Sequence, residues 1–186
     1  MKALSLWQPW ASLVALRVKT IETRSWSTSY RGPLAIHAAK HVPWKKRADE
    51  GERASAMTDE IPRPLWEAMK ANVDEYPLLW SERCPRGVVV ATCQLVDVVE
   101  MFERASDTGL IPPDRALILT PTDEGGLRWT EPLSHAAHGW NIHCCEDQRP
   151  YGDFAPGRYA WILDEIVALD PPVEASGRQG LWEWGS

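Results

Sequence analysis

Apolar and polar positions alternate from Lys2 to Trp7, which predicts a short strand. Pro9 then suits the first position of a helix, and Trp10, Leu13, Val14 and Val18 follow at helical spacing. Thr20–Trp26 and Pro33–Ala39 each read as strands, separated by the turn-prone Ser29-Tyr30-Arg31-Gly32. Gly87–Val99 carries the strongest strand pattern: it is rich in Val, apolar on both faces and long enough to bend around a barrel. Arg158–Val167 predicts another strand, with Tyr159, Trp161 and Leu163 on one face. Ala175–Trp184 adds a last one after a break at Pro171-Pro172.

Two stretches interrupt this series. Residues 41–84 read as an insertion, with charges around Lys45–Arg53 and a helix after Pro64 that sets Leu65, Trp66, Met69 and Val73 on one face. Residues 104–150 read as a second, where Pro112-Pro113, Gly125-Gly126 and scattered His predict loops with only short elements. Short strands mostly lacking crossover helices predict an α+β fold around a curved or closed β-sheet with flanking helices. A parallel doubly wound sheet fits poorly. The whole of residues 1–186 is expected to form a single domain, an ordinary length for one.

Composition is that of a globular chain, 44% hydrophobic and 25% charged, with enough apolar surface to form a core unaided. Eleven Trp stand out, and most are expected in the core because a large ring stabilises mainly by burial. The net charge of −6 argues against a protein that coats a nucleic-acid backbone. That charge is unevenly spread. Residues 1–47 hold nine of the 20 Lys and Arg but one of the 26 acids, Glu22. Such asymmetry predicts a local anion-attracting face on an acidic body. Cys84, Cys93, Cys144 and Cys145 do not form a disulfide framework. The uncharged run Ala3–Leu16 is too short to span a bilayer, and no signal-peptide cleavage pattern follows it. A cytoplasmic protein with no membrane partner is the expectation.

Candidate chemistry concentrates in Leu4–Ala11 and Arg17–Trp26. A helix starting at Pro9 would point free N–H groups toward the residues before it. On the following strand Thr20, Glu22, Arg24 and Trp26 share one face, with Lys19 at the turn leading in. A lone Glu between Lys and Arg would ion-pair and orient Arg24 toward a planar or anionic ligand.

These residues resemble the ASCH (activating signal cointegrator homology) family, a β-barrel fold related to PUA RNA-binding domains. Its G-x-K-x-x-E-x-R motif is matched by Lys19, Glu22 and Arg24, with Arg17 where Gly is usual. The resemblance covers residues 3–40, 86–100 and 152–184, including Gly32–Ala39, Gly87–Val98 and Gly157–Trp161. It implies a PUA-like barrel whose cleft handles RNA, nucleosides or modified bases. Some small members deacylate acetylated cytidine with a Lys, a Thr and a Glu. Their Lys corresponds to Lys19, but their Thr falls at Glu22, so the nucleophile position is not kept. Other members have been linked to RNA cleavage.

The expected function is an RNA- or nucleotide-binding module that takes a nucleoside, nucleotide, modified base or short single-stranded nucleic acid. Its contacts would be Trp7, Gln8, Lys19, Glu22, Arg24, Trp26, His37 and Lys40. A hydrolase using Lys19 and Glu22 and a protein-interaction domain are the alternatives. Trp7 and Trp26 read equally as stacking surfaces or as core. His37, flanked by Ala35 and Ala39, reads as a ligand contact or as a satisfied core histidine. Lys40, Lys45, Lys46 and Arg47 form a phosphate rim or a solvated surface. His135, His138, His143, Cys144 and Cys145 match no zinc module, so no metal or other cofactor is expected.

Overall fold

The structure is a computed structural model that describes residues 1–41, 84–103, 116–121, 127–130 and 148–185. The helix expected after Pro64, the charged stretch Lys45–Arg53 and the His135–Cys145 group lie outside these residues. The strands are β1 (Lys2–Leu6), β2 (Ile21–Arg24), β3 (Gly32–Ala38), β4 (Val88–Glu103), β5 (Ala116–Pro121), β6 (Leu127–Thr130), β7 (Tyr159–Glu174) and β8 (Leu181–Glu183). Helix α1 (Trp10–Ala15) and a single 3-10 turn at Arg149–Tyr151 complete the described elements.

The chain forms two compact units. The first comprises Met1–Lys19, Gly32–Gln94 and Asp164–Ser186. Here β1 runs parallel to β3, from Lys2↔Leu34 to Leu6↔Ala38, and antiparallel to β8, from Lys2↔Glu183 to Leu4↔Leu181. Ala3, Ala35 and Val89 pack with Trp182, and Leu169, Ala175 and Trp184 close around them. Small side chains on adjacent strands leave the volume that the indole fills.

The second unit comprises Thr20–Arg31 and Leu95–Leu163. β2 is antiparallel to the start of β7, from Ile21↔Ile162 to Arg24↔Tyr159. The end of β4 runs parallel to β5, which pairs antiparallel with β6. Its core joins Ile21, Val99, Met101, Phe154 and Ala160, with Ile162 packed against them. Arg31 pins the loop after β2. Its Nη2 lies 2.8 Å from the Asp97 carboxylate, and its Nη1 donates to the Thr28 and Tyr30 carbonyls.

This is a β-rich α+β fold, as the pattern predicted, but the closed barrel is not formed among the described residues. Hydrogen-bonded neighbours run β2-β7-β4-β3-β1-β8, with β5 branching from β4, and the path does not return on itself. β7 also continues through Pro171-Pro172, where the pattern predicted a break. Residues 170–174 face solvent, and proline is tolerated at such strand positions.

Helix α1 ends in a Schellman turn. Val18 N–H donates to Leu13 O (3.0 Å) and Arg17 N–H to Val14 O (2.8 Å). Arg17, just past the helix, has φ 62°, the left-handed region that favours glycine. The Gly that is usual at this place in the ASCH motif therefore has a backbone reason. Arg17 instead adds a bond from Nε to Ile166 O at 3.0 Å. Arg17→Gly and Arg17→Ala both lose that bond, and only the glycine relieves the backbone. The glycine variant is expected to be the more stable by about 1 kcal/mol. Equal melting temperatures for the two would show that the turn tolerates a side chain without strain.

Candidate functional site

In the second unit, β2 divides its side chains by alternation. Ile21 joins the core, and Thr23 is buried on the same side, where its Oγ1 accepts from Asp153 N–H at 3.0 Å. Glu22 and Arg24 take the other face, in register with Trp161 and Tyr159 of β7. Arg24 Nε lies 3.4 Å from Glu22 Oε1. The carboxylate is buried and the arginine side chain is 26% exposed. Trp161 is wholly buried, and Trp26 meets it edge to face, with centroids 4.7 Å apart at 81°. The Trp161 Nε1–H donates to Trp26 O at 3.4 Å, so both ring and backbone of Trp26 are tethered. The end of β2 and the residues after it thus carry an ion-paired guanidinium and, two residues on, a half-buried aromatic, a combination suited to a planar anionic ligand.

Gln148 was not singled out in the sequence. It is buried, and its Oε1 accepts from Thr20 N–H at 2.7 Å and from Ile21 N–H at 3.3 Å. One side chain thus satisfies the two amides that lead into β2 and fixes where the motif strand begins. Nothing in the local pattern marks it, because its partners lie 128 and 127 residues away.

The first unit holds Trp7, Gln8, Lys19, His37 and Lys40. Gln8 serves the fold. Its Nε2 donates to Pro85 O at 2.6 Å, and its Oε1 accepts from Ser12 N–H at 3.1 Å. Ala11 N–H bonds to Trp7 O and Leu13 N–H to Pro9 O, so these first-turn amides are engaged within the chain. They are not presented to a ligand, as the sequence had suggested. Lys19 is wholly buried (0% exposed), and its N–H donates to Leu13 O. Trp7 is 49% exposed and Lys40 is exposed.

His37 is 2% exposed and has both ring nitrogens engaged. Nε2 lies 3.2 Å from Ala175 O, an obligate acceptor, so it carries the proton. Nδ1 accepts from Ser5 Oγ at 3.1 Å, and Ser5 Oγ accepts from Trp182 Nε1 at 3.2 Å. A Cβ on Gly177 would lie 2.5 Å from Nδ1, so only glycine fits against the imidazole. Burial lowers the His37 pKa below its ordinary 6.5 and the Lys40 charge lowers it further, while the bond to Ala175 opposes both. The folded state therefore favours the neutral ring. The stability this gives is complete above pH 6.5 and is lost as pH falls through the folded value. Thermal melts at pH 7.5 and 5.5 are expected to show a drop that His37→Gln reduces. An identical drop in both proteins would mean that His37 does not contribute.

Cys84 and Cys93 are buried free thiols, and burial pushes Cys93 up to about 12. Among the described residues no group of His, Cys, Asp and Glu is placed to hold a metal ion. Among them, too, no helix is long and apolar enough to cross a membrane. No curated protein matches the chain. The family model of the ASCH domain matches residues 4–133, more than two thirds of the sequence, and spans the motif strand β2 together with β1, β3 and β4. The chain therefore belongs to the ASCH domain family.

Proposed function

We propose that this chain binds RNA or a nucleotide-like ligand, namely a modified base, a nucleotide or a short unpaired segment, through the β2 face of its second unit. The ASCH family points to RNA binding in general. The observation that carries the finer reading is Arg24, oriented by Glu22 at the end of β2 and followed two residues later by the tethered Trp26. Arg24 would meet a phosphate or carbonyl oxygen, and Trp26 would stack on a base. A PUA-like single domain carrying two insertions is part of the same proposal.

Among the described residues, three basic side chains near the N-terminus already serve the fold. Lys2 pairs with Glu183, Arg17 bonds to Ile166 O and Arg31 pairs with Asp97. Contact with about two to four phosphates is expected, so binding should weaken only gently with salt. Arg24→Ala is expected to weaken binding of a short unpaired RNA about tenfold, beyond the loss of stability that comes from removing the ion pair with the buried Glu22. A lower melting temperature with unaltered affinity would make Arg24 a structural residue and end this assignment. In the alternative reading, a hydrolase using Lys19 and Glu22, Thr23 could not act beside Glu22, because its hydroxyl lies on the opposite face of β2.

A further inference from the structure

The described cations of the first unit are not all spent on the fold. The parallel pair of β1 and β3 continues one step past its last residues, through Ala39 N–H to Leu6 O at 2.8 Å. Trp7 and Lys40 therefore both leave the sheet at the carboxyl ends of two parallel strands, Trp7 level with Ala39 and Lys40 one residue further on. Trp7 has half its surface exposed, and the His41 ring lies 6.4 Å away at 61°.

The backbone places a second cation beside Lys40. Gly87 N–H donates to Ala38 O at 2.7 Å, so the residues leading into β4 run along the end of β3. The Lys40 stem lies across Gly87. A Cβ there would overlap Cε and sit 2.7 Å from Cγ. Gly87 also has φ 67°, so glycine is favoured at this position on both counts. With its stem held on the backbone, Lys40 keeps its ammonium in water, and among the described residues it makes no ion pair. Arg86, next along the chain, has a buried Nε that bonds to nothing among the described residues.

We infer that Trp7, Lys40, His41 and Arg86 form a second nucleotide-contacting patch, in which Trp7 takes a base and Lys40 and Arg86 take phosphate. This rests on the reading of the chain as a binder of nucleotide-like ligands, but on different residues from those of β2. An exposed indole offers a sequence-tolerant stacking face, and two cations beside it supply the charge that a backbone phosphate requires.

The test uses the full chain and a labelled eight-nucleotide oligouridylate across a salt series. Lys40→Ala with Arg86→Gln is expected to weaken binding about tenfold at low salt. It should also flatten the dependence of log affinity on log salt by about 1.4, or about 0.7 for each phosphate lost. Trp7→Ala is expected to weaken binding about tenfold with an unchanged slope, and Trp7→Phe to retain most of the affinity. Lys40→Ala alone, at an exposed position, is expected to keep the wild-type melting temperature and to flatten the slope by about 0.7. That arm stands even where loss of Arg86 disturbs the fold. If the Lys40 variant and the double variant keep the wild-type affinity and slope while Arg24→Ala still weakens binding, the patch is overturned and the β2 reading stands. If Arg24→Ala has no effect while the Lys40 variants behave as described, the reverse holds. Loss of affinity with no change in slope in the Lys40 variants also overturns the phosphate role.

Discussion

Trp161→Ala is expected to lower folding stability by about 3–5 kcal/mol and to abolish ligand binding along with it. Trp161 is fully enclosed, so truncation leaves a cavity as well as removing buried apolar area. The damage is directed, because this residue stands opposite Glu22 in the β2–β7 ladder and supports the Trp26 ring edge to face. Its Nε1–H is also the donor to Trp26 O, so the backbone beyond β2 loses an anchor. Trp161→Phe separates these contributions. It keeps an aromatic in the core but lacks the indole donor, and it is expected to cost about 1–2 kcal/mol. It should still weaken binding, because Trp26 is less firmly held. Urea unfolding of the three proteins, with affinity measured on each, checks both parts. A Trp161→Ala protein that unfolds at the wild-type midpoint would contradict the support role assigned to this side chain.

Gln148→Leu should cost about 2 kcal/mol, the second largest effect expected. Leucine nearly matches the volume of glutamine but offers no acceptor, which leaves Thr20 and Ile21 N–H without their partner. The consequence for binding follows from position. Those two amides introduce the strand that carries Glu22 and Arg24, so a looser start should also reduce affinity. Gln148→Glu keeps an acceptor in the same place and is expected to recover part of the loss. Equal stability for the leucine variant and the wild type would show that water replaces the side chain at these amides.

Much of the fold was readable because its signals are local. The alternation of Lys2–Trp7, the strand pattern of Pro33–Ala39 and the Val-rich, doubly apolar run Gly87–Val99 anticipate β1, β3 and most of β4. β4 outruns its prediction past Val99 because Glu100 starts a further ladder, with β5. The pairing of Glu22 with Arg24 was readable for the same reason, since residues two apart on a strand share a face. The sequence reads Gln8 as a ligand contact and leaves His37 ambiguous, because residue type does not separate a ligand contact from a buried polar group with internal partners. Those partners, Pro85 and Ala175, lie 77 and 138 residues away. Gln148 was invisible on the same grounds.

The place of β1 in its sheet has a consequence for how the chain must be made. One side of β1 pairs with β3, which emerges soon after it, and the other with β8, which reaches as far as Glu183. A nascent chain therefore carries β1 half-paired through nearly the whole of its synthesis. Its outer amides stay open as a template for other strands until Leu181 emerges. Contacts of such long sequence separation also slow the final closure. A ribosome that stalls before that point releases a protein lacking both its last strand and Trp182, the indole that fills the core beside Ala3. Such a product should aggregate, even though every residue of the ASCH motif is already present.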